Sequence, residues 1–445
     1  MGQVNTSVLQ QGMAVSTTNG TIYHIDKQIS EGGQGWTYLA TGPYGPKCLK
    51  IYKPEMLQRF PSIMDSLKRK LPKPPPFNGY VWPQEIFDSV DIKGYVMDFV
   101  DSSYVLMTKF LLAKKQGGVR FKDLKTTIDA MLSLVSAFNI LHQTGYNYQD
   151  LSIGNFMINP ETGDVKIIDN DNVSVEGTAS GILGTPGYIA PEVLAMKSIP
   201  SINSDRFSLS VILFLLLMHG HPLEGKRFLV ELLAEDQNRA LYCTDPVFVF
   251  DPQNHCNALS PDKQPQHAYM EQLWNWLPND VKELFQRAFS RETMLENPSQ
   301  RPTESEWERV LIKFRSDIIT CPHCDSEVLF SRIADMRCED CGMPMGRITV
   351  LSTSKCKYRI PLGYGSAVMS SQLRFCNIGE GAVKELVIKR KADDHTKLFL
   401  VNNGAKPIMV GTTEGKNMPL DVGKGAMLSA VKHIRMSDGI VITAE

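Results

Sequence analysis

The 445-residue sequence has no apolar run approaching the roughly 20 residues that cross a bilayer. Its longest, residues 211–218, reads as a buried core helix. It has no surplus of charge of either sign, with 47 Lys and Arg against 48 Asp and Glu. No global field therefore draws it to nucleic acid or to an anionic membrane, and neither is an expected partner. It lacks a cationic opening followed by an apolar run and a small-residue cleavage site, so the expected location is the cytoplasm. Its nine cysteines form no chain-wide framework of spacings, which excludes a disulfide scaffold. No internal repeat is visible.

What is present is a globular composition, 42% hydrophobic and 21% charged, in a chain long enough for two or three domains. The first 315 or so residues begin with short alternating segments and turn helical, notably over 125–141 and 281–289. Lys73-Pro74-Pro75-Pro76 is a stiff surface connection, and residues 251–266 form a polar loop. From residue 352 onward, short segments such as 385–388 and 398–401 alternate with Gly and Asn turns, the texture of a small antiparallel sandwich.

Between these textures stand two Cys-x-x-Cys pairs, Cys321-Pro322-His323-Cys324 and Cys338-Glu339-Asp340-Cys341. Each pair brings two thiolates to one ion from a tight turn, and together they complete the four-sulfur set of a closed structural zinc site. Redox chemistry would need only one pair. His323 lies inside a complete set and is not expected to be a ligand.

Ile29-Ser30-Glu31-Gly32-Gly33-Gln34-Gly35-Trp36-Thr37 places glycines where a hairpin backbone can press its amides onto phosphate oxygens. Lys50, in the apolar strand Cys48-Leu49-Lys50-Ile51-Tyr52, can reach phosphates beneath that hairpin. Asp150 is followed five residues later by Asn155, a carboxylate able to take a hydroxyl proton and a carboxamide able to hold a metal. Asp169 ends the strand-like Val165-Lys166-Ile167-Ile168. Taken singly, either aspartate reads as a cap or turn residue; the order is what signifies.

In that order, and continued by Gly184-Thr185-Pro186-Gly187-Tyr188-Ile189-Ala190-Pro191-Glu192, the sequence resembles the protein kinase superfamily over residues 20 to 315. The resemblance implies an α+β multidomain chain. Residues 1–20 would be an extension, 21–100 the N-lobe and 101–316 the C-lobe of a bilobal kinase fold. A zinc ribbon (317–347) and a C-terminal β-domain (350–445) would follow. Residues 398–404 and 437–442 are similar to the end of a forkhead-associated sandwich, without its phosphopeptide-binding Arg and Ser pair.

The same resemblance implies ATP and Mg2+ as cofactors beside Zn2+. Lys50 would hold the α and β phosphates, Asp150 would orient the substrate hydroxyl and accept its proton, and Asn155 and Asp169 would bind magnesium. Ile29, Gly32, Gly33, Gly35 and Thr37 would cover the nucleotide. Cys48, the gatekeeper Met97, the hinge residues Asp98 and Val100, and Met157 would surround adenine. Asp205 would brace the catalytic loop, and Arg301 would pair with Glu192.

Five departures stand out. Ser30 replaces the first glycine of the cradle; Gln149 replaces the arginine before Asp150; Asn170-Asp171 replaces Phe-Gly after Asp169; and Ser152 stands where a lysine commonly meets the γ phosphate. No glutamate fits the helical partner of Lys50, for which Asp65 is the best-placed acid and Glu55 a poorer second. These features resemble a divergent bacterial branch whose kinases accompany a von Willebrand A-type protein and a metal-dependent phosphatase. The expected activity is Ser/Thr phosphorylation of a protein substrate. The alternative is a catalytically weak nucleotide-binding scaffold whose tail recruits partners.

Overall fold

The structure, a computed structural model, describes residues 9–178, 184–228, 238–262, 265–333, 335–353, 358–376 and 380–445. It opens with a six-stranded antiparallel sheet built from β1 (Ala14–Ser16), β2 (Ile22–Glu31), β3 (Gly35–Gly42), β4 (Gly45–Tyr52), β5 (Glu85–Asp88) and β6 (Lys93–Asp98), in the order β1-β2-β3-β4-β6-β5. Strand β1 falls within the expected extension, yet it pairs with β2, Val15 opposite Tyr23, and closes one edge of the sheet.

Side chains alternate across a strand, so β4 serves two cores. Leu49 and Ile51 pack with Tyr23, Ile25, Tyr38 and Phe87 on one face. Cys48 and Tyr52 pack on the other with Tyr95, Met97 and the helices α1 (Pro54–Arg59) and α2 (Ile63–Lys70), through Met56, Met64 and Leu67. Lys50 shares that second face, between Cys48 and Tyr52, and therefore points under the sheet.

The helical lobe is organised around Leu124–Gln143, Ile202–Met218, Asn279–Ala288 and Glu304–Asp317. Three of the four starts are capped by side chains the sequence displays. Asp123 accepts a hydrogen bond from the Thr126 amide at 2.8 Å, and Ser201 with Ser204 and Thr303 with Glu306 form reciprocal caps. Residues 211–218 are buried, as expected of a core helix. Helix Leu124–Gln143 is long and apolar enough to cross a membrane, but 83% of that stretch is buried inside the lobe. Two short antiparallel ladders carry the functional loops: Val165–Ile167 with Phe156–Ile158, and Val173–Val175 with Tyr146–Tyr148.

Beyond Asp317 the hairpin of Ile318–Thr320 and Glu327–Leu329 leads to the four cysteines. The tail that follows has a six-stranded and a four-stranded antiparallel sheet around one core, including Leu351, Ile360, Leu386, Leu400, Val410, Ile434 and Ile442. Ala367 and Met369 of this tail belong instead to the core of the helical lobe. Gln372 Nε2 also donates to the Ser316 hydroxyl at 2.8 Å. Tail and lobe are thus packed together.

Candidate active site between the lobes

The ammonium of Lys50 is fully engaged. It donates to Gln34 Oε1 at 2.8 Å, to Asp169 Oδ1 at 3.2 Å and to both carboxylate oxygens of Asp171 at 3.1 Å. Burial alone would lower its pKa; the adjacent charges of Asp171 and Asp169 outweigh that and hold it above the ordinary lysine value. Asp171 is sealed in, its side chain 1% exposed against 37% for Asp169. It also accepts from the Tyr52 hydroxyl at 2.8 Å and the Tyr95 hydroxyl at 3.1 Å. Burial would raise this carboxylate, but Lys50 and then Lys70 bring it below the ordinary range.

The helical acids considered as partners for Lys50 do not meet it. Asp65 and Glu55 are exposed on α2 and α1. What α2 sends inward is a cation: Lys70 donates to the main-chain oxygens of Asn170, Asp171 and Val173 at 3.3, 2.6 and 2.7 Å. Burial lowers its pKa to about 8, against the pull of Asp171.

In the hairpin, Gly33 has open space where a side chain would project, and a Cβ on Gly32 would lie 4.0 Å from the Gly35 carbonyl oxygen. Gly35 is required for another reason: a Cβ there would lie 2.2 Å from the Ile51 carbonyl, so the close approach of β3 to β4 imposes it. Thr37 sits opposite Lys50 in the ladder, and Ile29 is exposed on β2. Deeper in the cleft, Cys48 lies opposite Met97, both buried, and burial pushes the Cys48 thiol up to about 11. Asp98 turns outward to Lys47 at 2.6 Å, Val100 packs on the cluster that holds Met97, and Met157 is half-buried opposite Leu106.

Asp150 accepts from the Thr185 hydroxyl at 3.2 Å. Desolvation raises its pKa against that hydrogen bond, with the charge of Asp169 adding to the rise and that of Lys50 opposing it. Asn155 Oδ1 accepts from the Ser152 amide at 2.7 Å and the Ser152 hydroxyl at 3.0 Å. Ser152 therefore fixes the carboxamide. The Asn155 carbonyl also takes the Ile168 amide at 2.8 Å, tying the two metal-candidate segments together. Asp169 has a left-handed backbone, φ 59°, and starts the tight turn Asn170–Asn172. Asn170 pins that turn by donating to Val81 and Ile167 at 2.9 and 2.8 Å.

Beneath the loop, Asp205 accepts from the Tyr148 amide at 2.6 Å, as the bracing role requires. His142, which the sequence reading did not single out, bridges Asp205 at 3.1 Å and Glu304 at 3.0 Å. Glu192 and Arg301 form two 2.7 Å hydrogen bonds, with Arg301 fully buried against Phe207. Asp171, Gln34 and Lys70 were also missed. The one available signal was the second acid in Asp169-Asn170-Asp171.

At the second cluster, the sulfurs of Cys321, Cys324, Cys338 and Cys341 all lie within 4.8 Å of one another, with 3.8 Å between Cys321 and Cys341 and 3.7 Å between Cys324 and Cys338. Tetrahedral zinc at Zn–S distances of about 2.3 Å needs sulfurs about 3.8 Å apart. The donor set therefore fits such an ion. The His323 ring is turned to the Pro344 carbonyl at 2.9 Å.

Residues 95–308 match the family described as protein kinase domain. The chain is similar to CBL-interacting serine/threonine-protein kinase 5 of Arabidopsis thaliana, 25% identical over 220 residues, 46% of this chain and 47% of that protein. It is similar to serine/threonine-protein kinase PknG of Mycobacterium leprae, 26% identical over 214 residues, 46% of this chain and 26% of that protein. Protein kinase C delta type of Mus musculus is 32% identical over 143 residues, 31% of this chain and 20% of that protein. Each match spans less than half of the relative's own length. The Asp150–Asn155 loop, the Asp169–Asp171 turn and the Glu192–Arg301 pair all fall inside the matched segment, so residues 95–308 carry a protein kinase domain.

Proposed function

We propose that the protein is an ATP-dependent kinase that phosphorylates Ser or Thr of a protein substrate. The observation that carries this reading is the meeting of Lys50, Asp169 and Asp150 in one electrostatically coupled cleft, with Asn155 bonded to the same loop. The substrate hydroxyl oxygen forms a bond to the γ phosphorus while the bond to the β–γ bridging oxygen breaks. Asp150 takes the hydroxyl proton, and ADP leaves. Its raised pKa makes it a stronger proton acceptor than a free carboxylate. Lys50 offsets phosphate charge, and Asn155 and Asp169 would hold magnesium, which supplies further charge neutralisation.

The four thiols would hold one structural zinc, and the two-sheet tail would serve as a docking module. The bacterial-branch resemblance supports a von Willebrand A-type protein and a metal-dependent phosphatase as partners, in the cytoplasm. A scaffold reading is favoured by one observation: Ser152 spends its hydroxyl on Asn155 and leaves no cation for the γ phosphate. Incubation with magnesium and γ-labelled ATP, beside Asp150→Asn and Asp169→Asn, separates the two. Label transferred by the wild type and lost in both variants supports catalysis. ATP binding without transfer supports the scaffold.

A further inference from the structure

We propose that Asp171 is the positioning residue for Lys50, taking the part that a carboxylate on helix α2 would otherwise play; this rests on the kinase reading of the cleft. Both oxygens of Asp171 face the ammonium at 3.1 Å. The carboxylate is itself oriented by the phenols of Tyr52 and Tyr95, and its main-chain oxygen is held by Lys70. Tyr52 and Tyr95 are the next same-face neighbours of Lys50, one along β4 and one across the ladder in β6. The lysine, the phenols and the carboxylate therefore form one buried unit.

Helix α2 takes part with the opposite charge. Its acid Asp65 is exposed, while its buried Lys70 grips three carbonyls of the loop. The chain of support runs from helix to loop backbone, and from loop carboxylate to Lys50. Because Asp169 and Asp171 flank a single residue of the same turn, the candidate metal ligand and the lysine clamp are set by one piece of backbone. The two acids differ in access. Asp169, partly exposed, can meet an ion in the cleft, whereas Asp171 lies sealed behind the ammonium.

The test compares the full chain with Asp171→Asn, Asp171→Glu and Asp65→Asn. Phosphotransfer should fall about 100-fold in kcat for Asp171→Asn, with KM for ATP within about threefold, because Lys50 acts on charge that develops in the transition state. Asp171→Glu should recover at least tenfold of that loss, and Asp65→Asn should match the wild type. The magnesium concentration giving half-maximal rate should stay unchanged in Asp171→Asn. A shift there would make Asp171 a metal ligand and overturn the proposal.

A second readout does not need catalysis. The extent of Lys50 acetylation by acetic anhydride at one fixed pH, followed by peptide mass spectrometry, should rise in Asp171→Asn, where the ammonium loses its two-oxygen clamp, and stay unchanged in Asp65→Asn. Unchanged acetylation of Lys50 in a folded Asp171→Asn overturns the assignment of Asp171. Absence of transfer by the wild type overturns only the kinase reading. If Asp171→Asn does not fold, the double variant Tyr52→Phe, Tyr95→Phe keeps the charge and removes its orientation. It should lose about fivefold in kcat, and a wild-type kcat in that folded variant overturns the proposal.

Discussion

Gln34 Oε1 accepts a hydrogen bond from Lys50 Nζ at 2.8 Å, while Gln34 Nε2 donates to Asn172 Oδ1 at 3.3 Å. The glycine hairpin is thereby latched onto the lysine and the metal loop at once. An ammonium has three donors, and here Gln34, Asp169 and Asp171 use them. Nucleotide phosphates can gain a donor only by displacing one of these acceptors. Gln34 is neutral and follows Gly33, around whose α-carbon a side chain would meet nothing. Gln34→Ala should therefore lower KM for ATP about two- to fivefold, a fraction of the roughly 1.5–3 kcal/mol of a hydrogen bond to a charged group. Steady-state kinetics checks this; an unchanged or raised KM would show that Gln34 does not compete with the phosphates.

The bridge of His142 to Asp205 and Glu304 makes stability depend on pH. Burial alone would lower the imidazole, but its hydrogen bonds to Asp205 and Glu304 raise it from 6.5 to about 9. Asp205 is raised to about 6, mainly by burial, and Glu304 is brought down to about 2 against its burial by His142 and Arg206. Between pH 6.5 and 9, His142 is the member of the three that titrates. Its folded pKa exceeds the unfolded one, so the stabilisation is complete below 6.5 and is lost as pH rises through 9. At 1.36 kcal/mol per pKa unit the loss is roughly 3 kcal/mol. Urea unfolding at pH 6.5 and pH 9.5 should show it, and His142→Gln should flatten the difference. Lys70, with a folded pKa of about 8, gains stability over the same window in wild type and variant alike, so a wild-type pH dependence no different from that of His142→Gln would refute the bridge.

The cleft around Lys50 also shows how far the sequence could be read. The alternation of β4 put Lys50 on a defined face, and the five-residue spacing of Asp150 and Asn155 survived folding because both lie on one loop. Glu192 with Arg301 was recognisable only by family pattern, since 109 residues separate them. The partner of Lys50 was sought on the helix just after it. The chain instead supplies it from 121 residues away, where two tyrosines and a second lysine stabilise a buried carboxylate. Gly35 was read only as part of the phosphate cradle, and the packing of β3 on β4 is a further reason for glycine there. The strand texture of the tail was legible from its turns. Its attachment to the helical lobe was not, because Ala367 and Met369 read as ordinary core residues until the lobe is built around them.

The four-cysteine cluster should contain about one zinc per purified chain, since the spacing of its sulfurs fits that ion. Cys321 and Cys338 are buried with Ile319, Val328 and Met345 in a small core of their own. So small a core gives the segment little apolar burial, and a metal crosslink would add to it. Cys324→Ser should lose the zinc, and the hairpin Ile318–Thr320 with Glu327–Leu329 should lose protection in hydrogen exchange. Metal analysis giving full zinc in Cys324→Ser, with protection intact, would rule the site out.

Asp129 makes an ionic link between the helical lobe and the tail. It lies on Leu124–Gln143 and meets Arg315 of Glu304–Asp317 at Nη2, 3.0 Å, and Lys384 of the tail at 2.7 Å. Burial would raise its pKa, yet Arg315 and Lys384 hold it below the ordinary carboxylate range. The two cations differ in burial: the Arg315 side chain is 5% exposed and that of Lys384 30%. Removing the shared acid leaves one sealed guanidinium unpaired, so Asp129→Ala should cost about 3–5 kcal/mol. Lys384→Ala leaves Asp129 with Arg315 and removes only the half-open contact, so it should cost about 1 kcal/mol. Denaturant unfolding of both variants, with the double variant to complete the cycle, measures this directly. Equal losses in the two single variants would mean that the tail contact, and not the buried arginine, carries the energy of this junction.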